Sequence, residues 1–185
     1  MAIVLGIDEV GRGCWAGPVV AGAAILLNSI KGLRDSKKLS KIQRTKLDLI
    51  IRQNAVIGLG WVTPKEVDEI GLTRAVRLAM QRAVAKIDVP FDEIIVDGSY
   101  NFLIDDPRSK AIVRADDSVS AVSAASIVAK VARDNYMTGQ AKVFPKYKFE
   151  KHVGYGTALH ATFLKTYGPC ELHRLSYKPI RALMA

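Results

Sequence analysis

The sequence predicts an α/β fold, a central mixed five-stranded sheet flanked by helices. Two runs of β-type residues open the chain, "AIVLGID" and "GPVVAGAAILL", separated by a Gly/Arg/Trp-containing stretch, and they read as antiparallel neighbours. Strand and helix patterns then alternate, which calls for helices packed on the sheet faces. No Pro/Gly/Ser-rich linker or charge block divides the 185 residues, of which 49% are hydrophobic, so one domain over 1–185 with a short C-terminal helical tail is expected.

The elements follow in order. "SKIQRTKLDLIIRQN" opens with a capping box, Ser40 with Gln43, and carries Ile42, Leu47, Leu49 and Ile50 at roughly helical spacing. "AVIGLGWV", residues 55 to 62, reads as the third strand. "TPKE" then supplies Thr63 as N-cap, Pro64 at the first helical position and Glu66 at the third, for a helical region reaching about Lys86 with a break near Gly71. "FDEIIVDGS" predicts a fourth strand ending at Asp97-Gly98, and "AIVRADD" a short fifth one ending at Asp116-Asp117. "SVSAVSAASIVAKVARDNYM" predicts a helix whose Ala and Ser residues permit close packing on a sheet. From Lys142 the chain turns basic and aromatic, "KVFPKYKFEKHVGYGT", before a helix near "ALHATFLKTYG" and the tail "HRLSYKPIRALMA".

The net charge of +9 attracts polyanions, nucleic acid being the commonest and an anionic membrane the rival. The longest apolar stretch, "AGPVVAGAAILL", falls short of the roughly 20 residues of a membrane span and contains Gly and Pro. Met1 leads into "AIVLGID" with no basic n-region or small-residue cleavage site, so a cytoplasmic protein without a membrane anchor is expected. Cys14 and Cys170 show no metal-ligand spacing, and His152, His160 and His173 lack the cysteine partners of a zinc site.

Three predicted strands end in carboxylates: Asp8-Glu9, Asp97 and Asp116-Asp117. Singly, each has an ordinary explanation, Asp97 as a turn residue before Gly98 and Asp116, Asp117 or Ser118 as helix caps. Gathered at one end of a sheet, they repel one another unless a cation sits among them. Mg²⁺ or Mn²⁺ suits that role, since these ions take oxygen ligands and leave positions for water and phosphate. Two such ions serve phosphodiester hydrolysis. Asp8 and Glu9 are neighbours on a strand and point to opposite faces, so their convergence requires a twist or an early strand end near Gly11 and Gly13.

"GIDEVGRGCWAGPVVAGAAIL", "RDSKKLS", "VDG", "ADDSVSAVSAASIVAKVARD" and "KHVGYGTALH...YGPCELHRLSY", in that order, closely resemble the ribonuclease HII family. The resemblance implies a ribonuclease H-like fold and a metal-dependent endonuclease with Mg²⁺ or Mn²⁺, probing RNA-DNA hybrids and single ribonucleotides in duplex DNA. The resemblance further implies incision 5′ of the ribonucleotide, leaving 3′-hydroxyl and 5′-phosphate ends, as in ribonucleotide excision repair. It implies Asp8, Glu9, Asp97 and Asp116 as the catalytic and metal-binding quartet, with Asp117 a helix cap or reserve ligand. The family usually has glycine before the fourth acid, where this chain has Ala115. By the same resemblance Gly11, Arg12, Gly13 and Tyr155 meet the ribose 2′-OH, and Ser36, Lys37 and Lys38 lie beside the scissile strand. "KVFPKYKFEKH" fits either a backbone-tracking surface or a segment with its aromatics buried. A nucleic-acid-binding domain without catalysis and a 3′-5′ exonuclease of the same broad fold are the competing readings. A monomer is expected.

Overall fold

The computed structural model describes residues 2–33 and 39–184. Ser36, Lys37 and Lys38, expected beside the scissile strand, lie outside the described residues. The five strands are β1 (Val4–Val10), β2 (Val19–Leu26), β3 (Ala55–Val62), β4 (Glu93–Asp97) and β5 (Ser109–Ile112), in the order β3-β2-β1-β4-β5. β1 pairs antiparallel with β2, and β2 with β3, whereas β1 and β4, and β4 and β5, run parallel. The expected mixed sheet is therefore present, with the opening pair antiparallel.

Local chemistry sets the helix starts. In α1 (Lys41–Asn54) the Ser40 side chain accepts from the Gln43 N–H while Gln43 reaches back to the Ser40 backbone. Thr63 and Glu66 close the same box on α2 (Pro64–Ile70). Gly71, at φ 79°, separates α2 from α3 (Leu72–Val84) at the predicted break. The apolar stripe of α1 differs from the expected one: Leu47 and Ile51 join the core, while Ile42, Leu49 and Ile50 face outward. Four-residue spacing alone cannot say which of two adjacent apolar rows meets the sheet.

Helices cover both faces. On one, Leu5 and Ile7 of β1 and Ile94 and Val96 of β4 pack with Val76, Ala79, Met80 and Ala83 of α3. On the other lies α5 (Ser120–Val143), which extends past Met137, where the sequence pattern stops. Its small residues let the backbones nearly touch: a Cβ on Gly6 would fall 2.3 Å from the Ala121 carbonyl carbon, and one on Gly22 would fall 2.3 Å from the Ala125 oxygen. On the α3 side, a Cβ on Gly60 would sit 1.9 Å from the Ala79 carbonyl oxygen. Gly60→Ala is therefore expected to lower stability by about 1–3 kcal/mol, because the clash is with backbone. Chemical denaturation of the two proteins measures it, and equal midpoints would contradict such close packing.

One predicted element is corrected and one open alternative is decided. The fifth strand stops at Ile112, and Arg114, in the left-handed region at φ 57°, turns the chain into α4 (Ala115–Ser118), so Asp116 and Asp117 sit on a helical turn and not on a strand. Of the two readings open for the basic-aromatic segment, the structure shows the one with buried aromatics. It folds into a 3-10 turn, Pro145–Tyr147, and α6 (Phe149–His152), which bury Tyr147 and Phe149 and leave Lys146 and Lys148 exposed. Burial of the two aromatic rings removes far more apolar surface from water than an open strand would. α7 (Ala158–Tyr167) and the tail helix α8 (Lys178–Met184) complete the chain.

Candidate active site

Ile7 of β1 pairs with Val96 of β4, so the next residues along the two parallel strands, Asp8 and Asp97, stand side by side. Both fall on the face covered by α5, as the neighbouring positions Gly6 and Ile95 do. α4 brings in Asp116. Ligand oxygens of Asp8, Asp97 and Asp116 lie within 4.8 Å of one another. Asp97 also orders its neighbour: its Oδ1 accepts the Ala115 N–H at 2.8 Å, fixing the start of α4 one residue before Asp116. The Ser123 hydroxyl of α5 donates to the Asp116 carbonyl oxygen. Asp117 is exposed and stands outside this trio.

Glu9 is placed differently. Pairing continues through both acids to Val10, so β1 does not end early and Glu9 starts from the opposite face to Asp8. Its Oε1 accepts from Arg12 Nη1 at 3.0 Å, while Oε2 is buried with no hydrogen bond among the described residues. It remains close enough to Asp97 to feel that charge.

The electrostatics are those of a site short of positive charge. Burial, then the charge of Glu9, push the Asp8 carboxyl up to about 8, against the Ser126 and Glu9 N–H hydrogen bonds that favour its ionised form. Burial also raises Glu9, with Arg12 opposing. Three converging carboxylates and an orphaned buried carboxylate oxygen form an all-oxygen donor set. That set fits a hard divalent cation and offers nothing to a soft one.

Beside the acids, a cleft of about 240 Å³ sets Asp8, Glu9, Gly11 and Arg12 against Lys130 and Tyr155. The structure thus brings Gly11, Arg12 and Tyr155 to the acids, with Gly13 next in the same turn, where Cys14 N–H closes on the Gly11 oxygen at 3.3 Å. Tyr155 is anchored from several sides. Its segment bridges Cys14, and Lys130 Nζ lies 5.1 Å from its ring centroid. Burial pushes its hydroxyl up to about 12, so it stays a donor at neutral pH. Its flanking glycines allow the fit: a Cβ on Gly154 would lie 2.2 Å from the Ala16 oxygen, and one on Gly156 would lie 2.1 Å from the Trp15 ring.

Buried arginines were not legible as site residues. Arg133 donates to the Pro18, Val153 and Ala16 oxygens at 2.9, 2.9 and 3.0 Å, locking the glycine loop to the Tyr155 segment. Arg174 holds the Gly17 and Arg12 oxygens. Both stand within motifs, "KVARD" and "HRLSY", but a sequence gives no sign that an arginine will be buried.

The three histidines do meet: His160 and His173 form a hydrogen-bond relay, and His152 stacks on His160. Cys170 N–H donates to His173 Nδ1 at 2.9 Å, which leaves His173 Nε2–H to donate to His160 Nε2 at 3.0 Å, and His160 Nδ1–H to donate to the Tyr155 oxygen at 2.9 Å. Gly154 N–H donates to His152 Nδ1, and His152 Nε2–H to the Tyr147 oxygen. One neutral tautomer of each ring satisfies these five bonds, and the longer 3.2 Å approach of His173 Nδ1 to the Cys170 oxygen is then a contact and not a hydrogen bond. Burial lowers His152 and pushes His160 and His173 down to about 4. The unfolded chain therefore binds these protons more readily, and their contribution to stability is complete above about 6.5 and lost as pH falls toward 4. His173→Gln should accordingly flatten the fall of the melting temperature between those pH values, Asp8 being common to both proteins. Parallel curves would remove His173 from the linkage.

The family model for ribonuclease HII matches residues 5–180. The chain belongs to the ribonuclease HII family. A ribonuclease HII of Idiomarina loihiensis is 44% identical over 186 residues, covering 99% of each chain. The crystal structure of ribonuclease H2 from Pyrococcus horikoshii superposes with a TM-score of 0.81 at 26% identity, covering 97% of this chain and 96% of that one. Bst-RNase HIII, solved in complex with Mn²⁺, shares the fold with a TM-score of 0.78 at 20% identity, covering 99% of this chain and 69% of that one. Ribonuclease HII proteins are metal-dependent endonucleases of the ribonuclease H type that act on RNA-DNA hybrids, and this chain is such a hydrolase. No helix among the described residues is long and apolar enough to cross a membrane.

Proposed function

We propose that this ribonuclease HII incises duplex DNA on the 5′ side of a single embedded ribonucleotide, as well as the RNA strand of hybrids, leaving 3′-hydroxyl and 5′-phosphate ends, the first step of ribonucleotide excision repair. The observation that carries the reading is the shared cleft, in which Asp8, Glu9 and the glycine loop are consecutive parts of one chain segment ending β1. Asp8, Asp97 and Asp116, with Glu9 beside them, would hold two Mg²⁺ or Mn²⁺ ions. Such ions, when bound, activate the attacking water and stabilise the leaving oxygen. The chain's own part is selection and placement. The Gly11-Arg12-Gly13 backbone approaches the 2′-OH without a side chain in the way, and Tyr155 packs on the sugar. Arg12, half exposed and paired to Glu9, places a cation at the cleft edge for the phosphate, and Lys130 adds another. Ser36, Lys37 and Lys38 complete the phosphate contacts in this reading.

The test is an end-labelled duplex with one internal ribonucleotide, incubated with Mg²⁺, Mn²⁺ or chelator. One discrete product with metal and none in chelator is expected. A ladder of products would mean an exonuclease, and binding without cleavage in any metal would mean a binding module.

A further inference from the structure

Arg174 is fully buried, and its guanidinium is compensated by oxygens of the glycine loop and one hydroxyl. Nε and Nη2 donate to the Gly17 oxygen at 3.0 and 2.8 Å, and Nη1 donates to the Arg12 oxygen at 3.1 Å and to the Tyr177 hydroxyl oxygen at 2.7 Å. The Tyr177 hydroxyl in turn donates to the same Arg12 oxygen at 2.6 Å. Two donors, one of them charged, thus converge on a single carbonyl at the cleft edge. Burying a guanidinium is costly unless its donors are satisfied, so this side chain is committed to the loop.

The general shape of the loop does not need this convergence. Arg133 already holds the Ala16 and Pro18 carbonyls, and Arg174 holds Gly17 through two other nitrogens. What the Arg12 contacts add is the orientation of one peptide unit. The peptide is trans, so its N–H points away from its C=O. With the Arg12 oxygen drawn inward, the Gly13 N–H is directed away from the clamp. That N–H makes no hydrogen bond among the described residues, and a Cβ on Gly13 would meet nothing within 4 Å. A cation on the carbonyl also polarises the peptide and strengthens its N–H as a donor.

We propose that Arg174 and Tyr177 are positioning residues for ribose recognition, fixing and polarising the Arg12–Gly13 peptide so that the Gly13 N–H donates to the 2′-hydroxyl oxygen. This rests on reading Gly11-Arg12-Gly13 as the ribose-facing loop. The experiment compares wild type, Tyr177→Phe and Arg174→Lys for affinity, without divalent metal, toward two duplexes identical except for ribose or deoxyribose at one position. Wild type prefers the ribose. Tyr177→Phe, which leaves both Arg174–Gly17 hydrogen bonds in place, reduces that preference about threefold, as expected for one neutral hydrogen bond, with affinity for the deoxyribose duplex unchanged; Arg174→Lys, which also gives up the forked hold on Gly17, reduces the preference about tenfold or more. Should Arg174→Lys fail to fold, Tyr177→Phe decides alone, since it removes one hydroxyl and no volume of the ring. Preference retained in the variants but present in wild type overturns the positioning role only. No ribose preference in wild type overturns the loop reading, and this role with it.

Discussion

Asp97→Asn is expected to lower the cleavage rate of an RNA-DNA hybrid by about three orders of magnitude, the scale of several kcal/mol of transition-state charge stabilisation. Asparagine keeps the shape, and its carbonyl oxygen still accepts the Ala115 N–H that orders α4, so the loss would come from charge and not from a displaced Asp116. Without metal, removing one of three converging carboxylates relieves repulsion, and the melting temperature should hold or rise. With Mg²⁺ or Mn²⁺, the stabilisation that binding gives the folded state should shrink, which can be read from melting curves independently of activity. Substrate affinity should persist, because lysine and arginine contacts to phosphate supply most of it. Cleavage at the wild-type rate would remove Asp97 from the catalytic set.

Replacing the single ribonucleotide by its 2′-deoxy analogue should cut the cleavage rate by about 10⁴-fold, since a site built to hydrogen-bond a hydroxyl is left with unpaired polar groups when the hydroxyl is absent. The 2′-O-methyl analogue should fare no better, because its methyl group also collides with the close-lying glycine backbone. Tyr155→Ala should lower cleavage at the ribonucleotide about tenfold while duplex affinity barely changes, if, as proposed, the ring contacts the sugar and not the phosphates. The variant also vacates the ring beneath Lys130, so its melting temperature is measured alongside. Equal cutting of ribose and deoxyribose duplexes by wild type would contradict the link between the loop and the acids.

Features that depend on a few consecutive residues were legible. The Ser40/Gln43 and Thr63/Glu66 boxes, the strand at Ala55–Val62 and the break at Gly71 appear where the pattern put them, because each is closed by hydrogen bonds or φ preferences within four residues. The fifth strand was drawn too long because a left-handed Arg114 leaves no compositional mark. The outward Ile42, Leu49 and Ile50 depart from the expected stripe, and the choice between exposed and buried aromatics at Tyr147 and Phe149 stays open in the sequence, for a related reason. Which apolar row a helix or segment buries depends on the surface it meets, which lies elsewhere in the chain.

The carboxylates divide along the same line. By itself the sequence determined their chemistry: hard oxygen donors at the ends of three predicted strands, the first joined to a glycine loop and the last preceding a small-residue helix. Only the tertiary structure decided their geometry, because the parallel register of Ile7 with Val96 sets Asp8 beside Asp97, the turn after β5 selects Asp116 over Asp117, and Glu9 departs toward Arg12. The supports of the loop were likewise beyond sequence reading. Arg133 reaches Pro18 across 115 residues and Arg174 reaches Gly17 across 157, and the neutral histidine relay joins three separate segments. Such contacts exist because folding removes these polar groups from water and obliges each donor to find an acceptor, a constraint that acts on the packed chain and leaves no local pattern.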